Sequence, residues 1–170
     1  YEIGKLSLAG IVERFDNKSE EDKNKATMVY SLSATYDFEV AKAFFGYQYA
    51  NRFHSLDQLE DVWVSGKGMN QNAFTLGAEV PAAGGTFKVA ANYGFGKVKS
   101  ADGVVVDDTK LSNDKFNRFT VGAAYEYPLS KRTFVYGWGA YATAGKMFKE
   151  KAVEENFKSW SLGLGLHHTF

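Results

Sequence analysis

Ser159-Trp-Ser-Leu-Gly-Leu-Gly-Leu-His-His-Thr-Phe170 closes the chain and decides how the rest is read. Trp160, Leu162, Leu164, Leu166, His168 and Phe170 share one parity, and Ser161, Gly163, Gly165, His167 and Thr169 share the other. A period of two sets these groups on opposite faces of a β-strand. One face is large and apolar, the other small or polar. A soluble sandwich strand can carry the same contrast, so the remaining strands and their connections must decide what the apolar face meets.

Working outward from this stretch, the alternation predicts about eight strands, near residues 4–15, 26–36, 40–51, 72–80, 86–98, 117–127, 133–144 and the terminal segment. In the third, Ala41, Ala43, Phe45, Tyr47 and Tyr49 oppose Lys42, Phe44, Gly46 and Gln48. In the sixth, Phe119, Val121, Ala123, Tyr125 and Tyr127 oppose Arg118, Thr120, Gly122, Ala124 and Glu126. The seventh is ambiguous, with Phe134, Tyr136 and Trp138 on one parity but Val135 and Tyr141 on the other. Long polar connections near 16–25, 52–71, 99–115 and 145–157 alternate with short turns near 37–39, 81–85 and 128–132, which hold both prolines. The alternation sorts long loops to one end and tight turns to the other, the pattern of an antiparallel up-and-down transmembrane β-barrel. Short helical turns are expected at most near 55–62 and 148–157.

The composition agrees. Lys plus Arg equals Asp plus Glu at 20 each, so no net field points to nucleic acid. Seventeen Gly, 14 Phe and 10 Tyr with only 2 Pro suit a sheet protein, and the absence of Cys excludes disulfides and thiolate chemistry. No segment approaches the roughly 18–20 apolar residues of a membrane helix, whereas a membrane strand needs about 9–11 residues with every second one apolar. The chain starts almost inside a strand and carries no signal-peptide pattern, as expected of a processed chain or a piece of a longer one.

Tyr125-Glu-Tyr-Pro-Leu-Ser-Lys-Arg-Thr133 resembles the Tyr-x-Leu-Ser-Lys-Arg-Thr turn of general trimeric porins of Gram-negative bacteria, mainly the β-proteobacterial type. Thr120–Tyr125 is similar to that family's Val-Gly-x-x-Tyr strand, and Gly163–Phe170 to its closing Gly-Leu-x-His-x-Phe, in which the terminal Phe170 stands for the assembly signal of outer-membrane barrels. The resemblance implies the C-terminal half of a 16-stranded barrel in the outer membrane. It also implies a homotrimer contacting lipid and lipopolysaccharide, delivered by the barrel-assembly machinery, and passive diffusion of small hydrophilic solutes. At about half the needed length, the chain lacks an N-terminal half and an acidic inward loop. Residues 1–170 therefore read as one barrel segment without a second domain. The alternative is a complete eight-stranded outer-membrane barrel with a structural or partner-binding role. A soluble lipocalin-like barrel would need its large apolar parity inside.

A diffusion channel needs no catalytic group or cofactor, and its selectivity comes from charged side chains on the lumen wall. The polar parities nominate Lys42, Gln48, Glu79, Lys88, Asn92, Arg118 and Glu126 as pore-lining candidates, some of which can instead solvate the rim. Three cations against two carboxylates in this set predict a mild anion preference. The glycines of the polar parities, Gly77, Gly94, Gly122, Gly163 and Gly165, leave space and suit a wide lumen. Lys131 and Arg132 read as a periplasmic turn with a structural salt bridge. His167 and His168 point to opposite faces and cannot readily share a metal. Neither the His54-Ser55 pair as a catalytic site nor Asp107 and Asp108 as calcium ligands outweighs a solvated loop. Tyr36, Tyr49, Tyr93, Tyr125, Tyr127, Trp138 and Trp160 are expected in interfacial girdles. Ala41, Ala43, Ala78, Ala91 and Ala123 mark a possible subunit contact.

Overall fold

A computed structural model of the protein describes residues 1–16, 26–53, 68–99, 105–106, 109–110, 114–149 and 158–169. Nine antiparallel strands form one sheet in sequence order. They are β1 (Glu2–Ile3), β2 (Leu6–Phe15), β3 (Thr27–Asp37), β4 (Lys42–Phe53), β5 (Met69–Ala82), β6 (Gly85–Val98), β9 (Lys115–Ser130), β10 (Thr133–Lys146) and β11 (Lys158–His168). The intervening β7 (Val105–Val106) and β8 (Thr109–Lys110) pair only with each other, inside the long β6–β9 connection. From β2 onward the strands of the sheet run 10 to 16 residues, long enough to cross a hydrocarbon layer that needs about 9–11. The sheet is open: among the described residues its edges, β1–β2 and β11, do not pair with each other.

Several expected boundaries shift. The first expected strand is a hairpin, because Gly4 at φ 56° turns the chain and pairs Glu2 with Ser7. Pro81 and Pro128 lie within β5 and β9 rather than in turns, next to strand ends where a missing N–H is tolerated. The helical turn expected from residue 148 is a single 3₁₀ turn, Met147–Lys149; residues 150–157 and the turn expected near 55–62 lie outside the described residues. Phe170, His54, Ser55, Asp107 and Asp108 lie outside them as well.

The tight turn between β5 and β6 consists of Ala83 and Gly84, both left-handed at φ 48° and 80°. This is the two-residue geometry that matches strand twist and normally selects Asn-Gly or Gly-Gly. Ala83 carries a Cβ penalty there. Ala83→Gly should therefore stabilise the protein by about 0.5–1 kcal/mol, after allowing for the greater freedom of Gly in the unfolded chain. An unchanged or lower urea midpoint in lipid would contradict this account of the turn.

Register fixes the faces. Ala78, Val89, Ala123, Gly139 and Leu162 lie in one row, and Phe74, Tyr93 and Phe119 in another, all on the apolar face. That face is open: Trp160 is 75%, Leu162 74% and Leu164 92% exposed. The soluble-barrel reading needed these side chains inside. The apolar face also has the zoning of a membrane surface. Rings at both ends, Tyr93, Phe95 and Phe119 toward the long loops and Phe87, Tyr125 and Tyr127 toward the tight turns, bracket small and aliphatic residues between them. Phe95 and Phe87 are eight positions apart on β6, about 26 Å along a strand, comparable to the roughly 25 Å apolar band of outer-membrane barrels. Beyond it, toward the long loops, the face turns polar with Asn51, Asn70, Lys97 and Lys115.

Two β-bulges override the simple alternation. In β4 the register skips Arg52, at φ 60°, so Phe53 pairs with Met69 on the small-residue face; the Thr27 hydroxyl donates to the Arg52 carbonyl at 2.6 Å. In β9 the register skips Leu129, so Phe134 pairs with Pro128 and Tyr136 with Glu126. One extra residue exchanges the faces of everything beyond it. The ambiguous seventh strand is thereby resolved. Phe134, Tyr136 and Trp138 lie on the small-residue face, and Val135, Gly137, Gly139 and Tyr141 on the apolar one. Trp138 is consequently not a girdle residue.

Candidate functional site

The small-residue face is concave and bounds a trough of about 520 Å³. All seven pore-lining candidates fall on this face, but in separate groups. Lys42, Glu79 and Lys88 are directly opposite one another on β4, β5 and β6. Lys88 Nζ lies 2.9 Å from Glu126 and 3.6 Å from Glu79, and Lys42 Nζ lies 3.7 Å from Asp37. These five side chains make a charged ladder across five strands, near the tight-turn end. Asp37, the last residue of β3, is a member that sequence reasoning missed, and its position directly before the turn is the signal that marks it. With it the ladder holds three carboxylates and two lysines, which removes the basis for an anion preference.

The second group is neutral. Asn92 donates from Nδ2 to Thr75 Oγ1 at 2.7 Å, and Asn92 sits opposite Thr120. Gln48 donates to the Ser31 hydroxyl at 3.2 Å, one pair further toward the long loops. Arg118 lies apart from the ladder, opposite Gly94 and Ala144. It is six residues from Ala124, the β9 residue facing Lys88, about 20 Å along the strand.

Towards the long loops the same face carries the apolar core. Met69, Ala73, Val98, Phe116, Met147 and Phe148 are the buried hydrophobic residues among those described. Phe116 meets Phe53 and Phe148 edge-on, each at a centroid distance of 6.2 Å. Gly96 makes room for it, since a Cβ there would overlap the Phe116 ring and the Asn70 carbonyl. At the rim, Asp114 accepts an ion pair from Lys97 at 3.0 Å, and the hydrogen bond from Lys97 holds the Asp114 carboxyl below its usual range. The Asp114 carbonyl accepts from the Val98 amide at 2.7 Å, tying this connection to β6.

The terminal glycines have a different role from the open space expected of them. A Cβ at Gly163 would overlap the Trp138 indole, and one at Gly165 the Tyr136 ring. The rings of β10 lie across β11 at its two glycines. The arrangement is reciprocal on the apolar face, where Cβ atoms at Gly137 and Gly139 would come within 3.0 and 2.9 Å of the Leu164 and Leu162 side chains. His167 stacks on Phe134 at 4.8 Å on the concave side, while His168 contacts the Thr133 hydroxyl at 2.8 Å on the other. The two histidines thus face apart. Among the described residues no group of three metal-binding side chains converges, and neither Lys131 nor Arg132 is paired with a described carboxylate.

The sequence model of the Gram-negative porin family matches residues 1–146. An outer membrane porin protein of Bordetella pertussis is 29% identical over 190 aligned positions, which cover 100% of this chain and 44% of that protein. The chain thus spans less than half the length of the curated relative it matches. A match over this much of the chain accounts for a sheet with an apolar outer face and a charged ladder on the concave one: the chain belongs to the Gram-negative porin family and is an outer-membrane β-barrel protein.

Proposed function

We propose that this chain forms part of the wall of a water-filled channel for passive diffusion of small hydrophilic solutes and ions across the outer membrane. The observation that carries the reading is the division of one sheet into an apolar outer face and a concave face bearing the Asp37–Lys42–Glu79–Lys88–Glu126 ladder. Lys42, Gln48, Glu79, Lys88, Asn92, Arg118 and Glu126 are then lumen-wall residues. The open edges support a wall completed by further strands of the same protein, since each backbone group left unpaired in lipid costs several kcal/mol. Residues 1–170 act as one barrel segment in this reading. The outward row of Ala43, Ala78, Val89, Ala123 and Gly139 is a suitable contact surface for a homotrimer. Phospholipid and lipopolysaccharide meet the remaining apolar face, and Phe170 serves the barrel-assembly machinery.

The test is single-channel recording of the full-length protein in planar bilayers. Lys88→Met removes the cation held between Glu79 and Glu126 and should raise the cation-to-anion permeability ratio about twofold, read from the reversal potential in a KCl gradient. An unchanged ratio would remove the ladder from the conduction path. Stable folding of residues 1–170 alone, without conductance, would favour a small closed barrel instead.

A further inference from the structure

The charged ladder ends against aromatic side chains on the concave face. Phe134, Tyr136 and Trp138 follow one another at alternate positions of β10, about 6.7 Å apart. Away from the buried core at the long-loop end, the wall of the trough is mostly small and polar apart from Phe44, and three rings in line on one strand set this strip apart. Gly163 and Gly165 let Trp138 and Tyr136 lie across the neighbouring strand instead of standing upright. Trp138 remains 41% exposed. It lines the trough together with Phe44, Glu79, Lys88, Asn92 and Thr120. Glu126 is directly opposite Tyr136, and Trp138 is separated from Lys88 by Ala124 alone.

The local charge selects the ligand class. Lys88 is shared between Glu79 and Glu126, so this end of the ladder carries one uncompensated negative charge. Lys42 is opposed by Asp37. Arg118 is too distant to contribute, and His167, stacked on Phe134, sits at the tight-turn side of the strip. A ring face beside a net negative charge attracts a cation through the ring quadrupole as well as through the carboxylate. We propose that the β10 strip and the Glu79–Lys88–Glu126 cluster form a binding subsite for organic cations that carry a planar ring. This rests on the channel reading, because only a lumen brings solutes to this face.

Recordings of the full-length protein in KCl, with added benzyltrimethylammonium, tetramethylammonium or benzenesulfonate, separate the two ideas. Steps of conductance in KCl alone test the channel; their absence overturns both readings. With channels present, benzyltrimethylammonium should interrupt the current at a concentration at least about fivefold lower than either other ion. Trp138→Leu should weaken this block about fivefold, measured against the variant's own KCl step, and Trp138→Phe should recover most of it. Glu126→Gln, which leaves the strip intact, should weaken block by the ring cation and spare benzenesulfonate. Equal block by tetramethylammonium would overturn the subsite, as would block insensitive to both Trp138→Leu and Glu126→Gln.

Discussion

Phe116→Ala should lower the stability of the folded protein by about 3–5 kcal/mol, the range for deleting a fully buried ring when its surroundings cannot collapse. Phe116 is 1% exposed, with Phe53 and Phe148 edge-on to it. Two backbone features hold those partners in place, the bulge at Arg52 and the 3₁₀ turn Met147–Lys149. Gly96 leaves only backbone beneath the ring, so little can move in to fill the space. The cluster lies on the concave side, and its reference state is water rather than lipid. Leu164→Ala is the contrasting case. Leu164 is 92% exposed on the apolar face, where hydrocarbon is as good a neighbour as protein. Its truncation should cost about 2 kcal/mol, the lost transfer of the removed carbons from water to hydrocarbon, because lipid fills the space and no cavity is left. Urea unfolding of protein refolded into vesicles measures both. A Phe116→Ala loss no larger than that of Leu164→Ala would mean that the cluster does not anchor the long-loop end.

The strand pattern was legible because lipid imposes it: a sheet with apolar solvent on one side and water on the other must alternate, as in Phe119–Tyr127 and Trp160–Leu166. The seven polar candidates followed from the same parity. What sequence could not supply was the parity after a bulge. Nothing in Pro128-Leu-Ser-Lys-Arg-Thr133 announces that Leu129 is skipped, yet that one residue carries Phe134, Tyr136 and Trp138 from the lipid face to the concavity. The clue was on the neighbouring strand. Gly163 and Gly165 alternate in step with Tyr136 and Trp138, and large-against-Gly pairing fits only if the four share a face. Asp37 was missed for a different reason. It closes β3, and its link to Lys42 depends on a turn whose Glu39 adopts φ 71° and whose Asp37 side chain accepts from the Glu39 amide at 2.8 Å. The Phe116 core was also invisible, since it is assembled from the ends of β4, β5, β6 and β9 and from the turn after β10.

Val121 and Thr120 are adjacent in β9 and provide the sharpest test of which solvent each face meets. Val121 lies between Ala91 and Tyr141 on the apolar face; Thr120 lies between Asn92 and Ala142 on the concave one. If the apolar face meets hydrocarbon, Val121→Arg puts a guanidinium near the middle of the band and should cost about 2–4 kcal/mol. Thr120→Arg adds the same charge to a wet wall and should change stability by no more than about 0.5 kcal/mol. Its effect belongs in conduction, as a shift of permeability toward anions. A soluble sheet with the same pattern predicts different numbers. There Val121, on an exposed surface in water, would accept Arg at little cost, and the two variants would unfold together. Equal urea midpoints for Val121→Arg and Thr120→Arg in vesicles would therefore refute the membrane-facing assignment of β9. A gap of several kcal/mol between neighbouring residues, with the selectivity change confined to the stable variant, requires what the register describes: two solvents separated by the thickness of one strand.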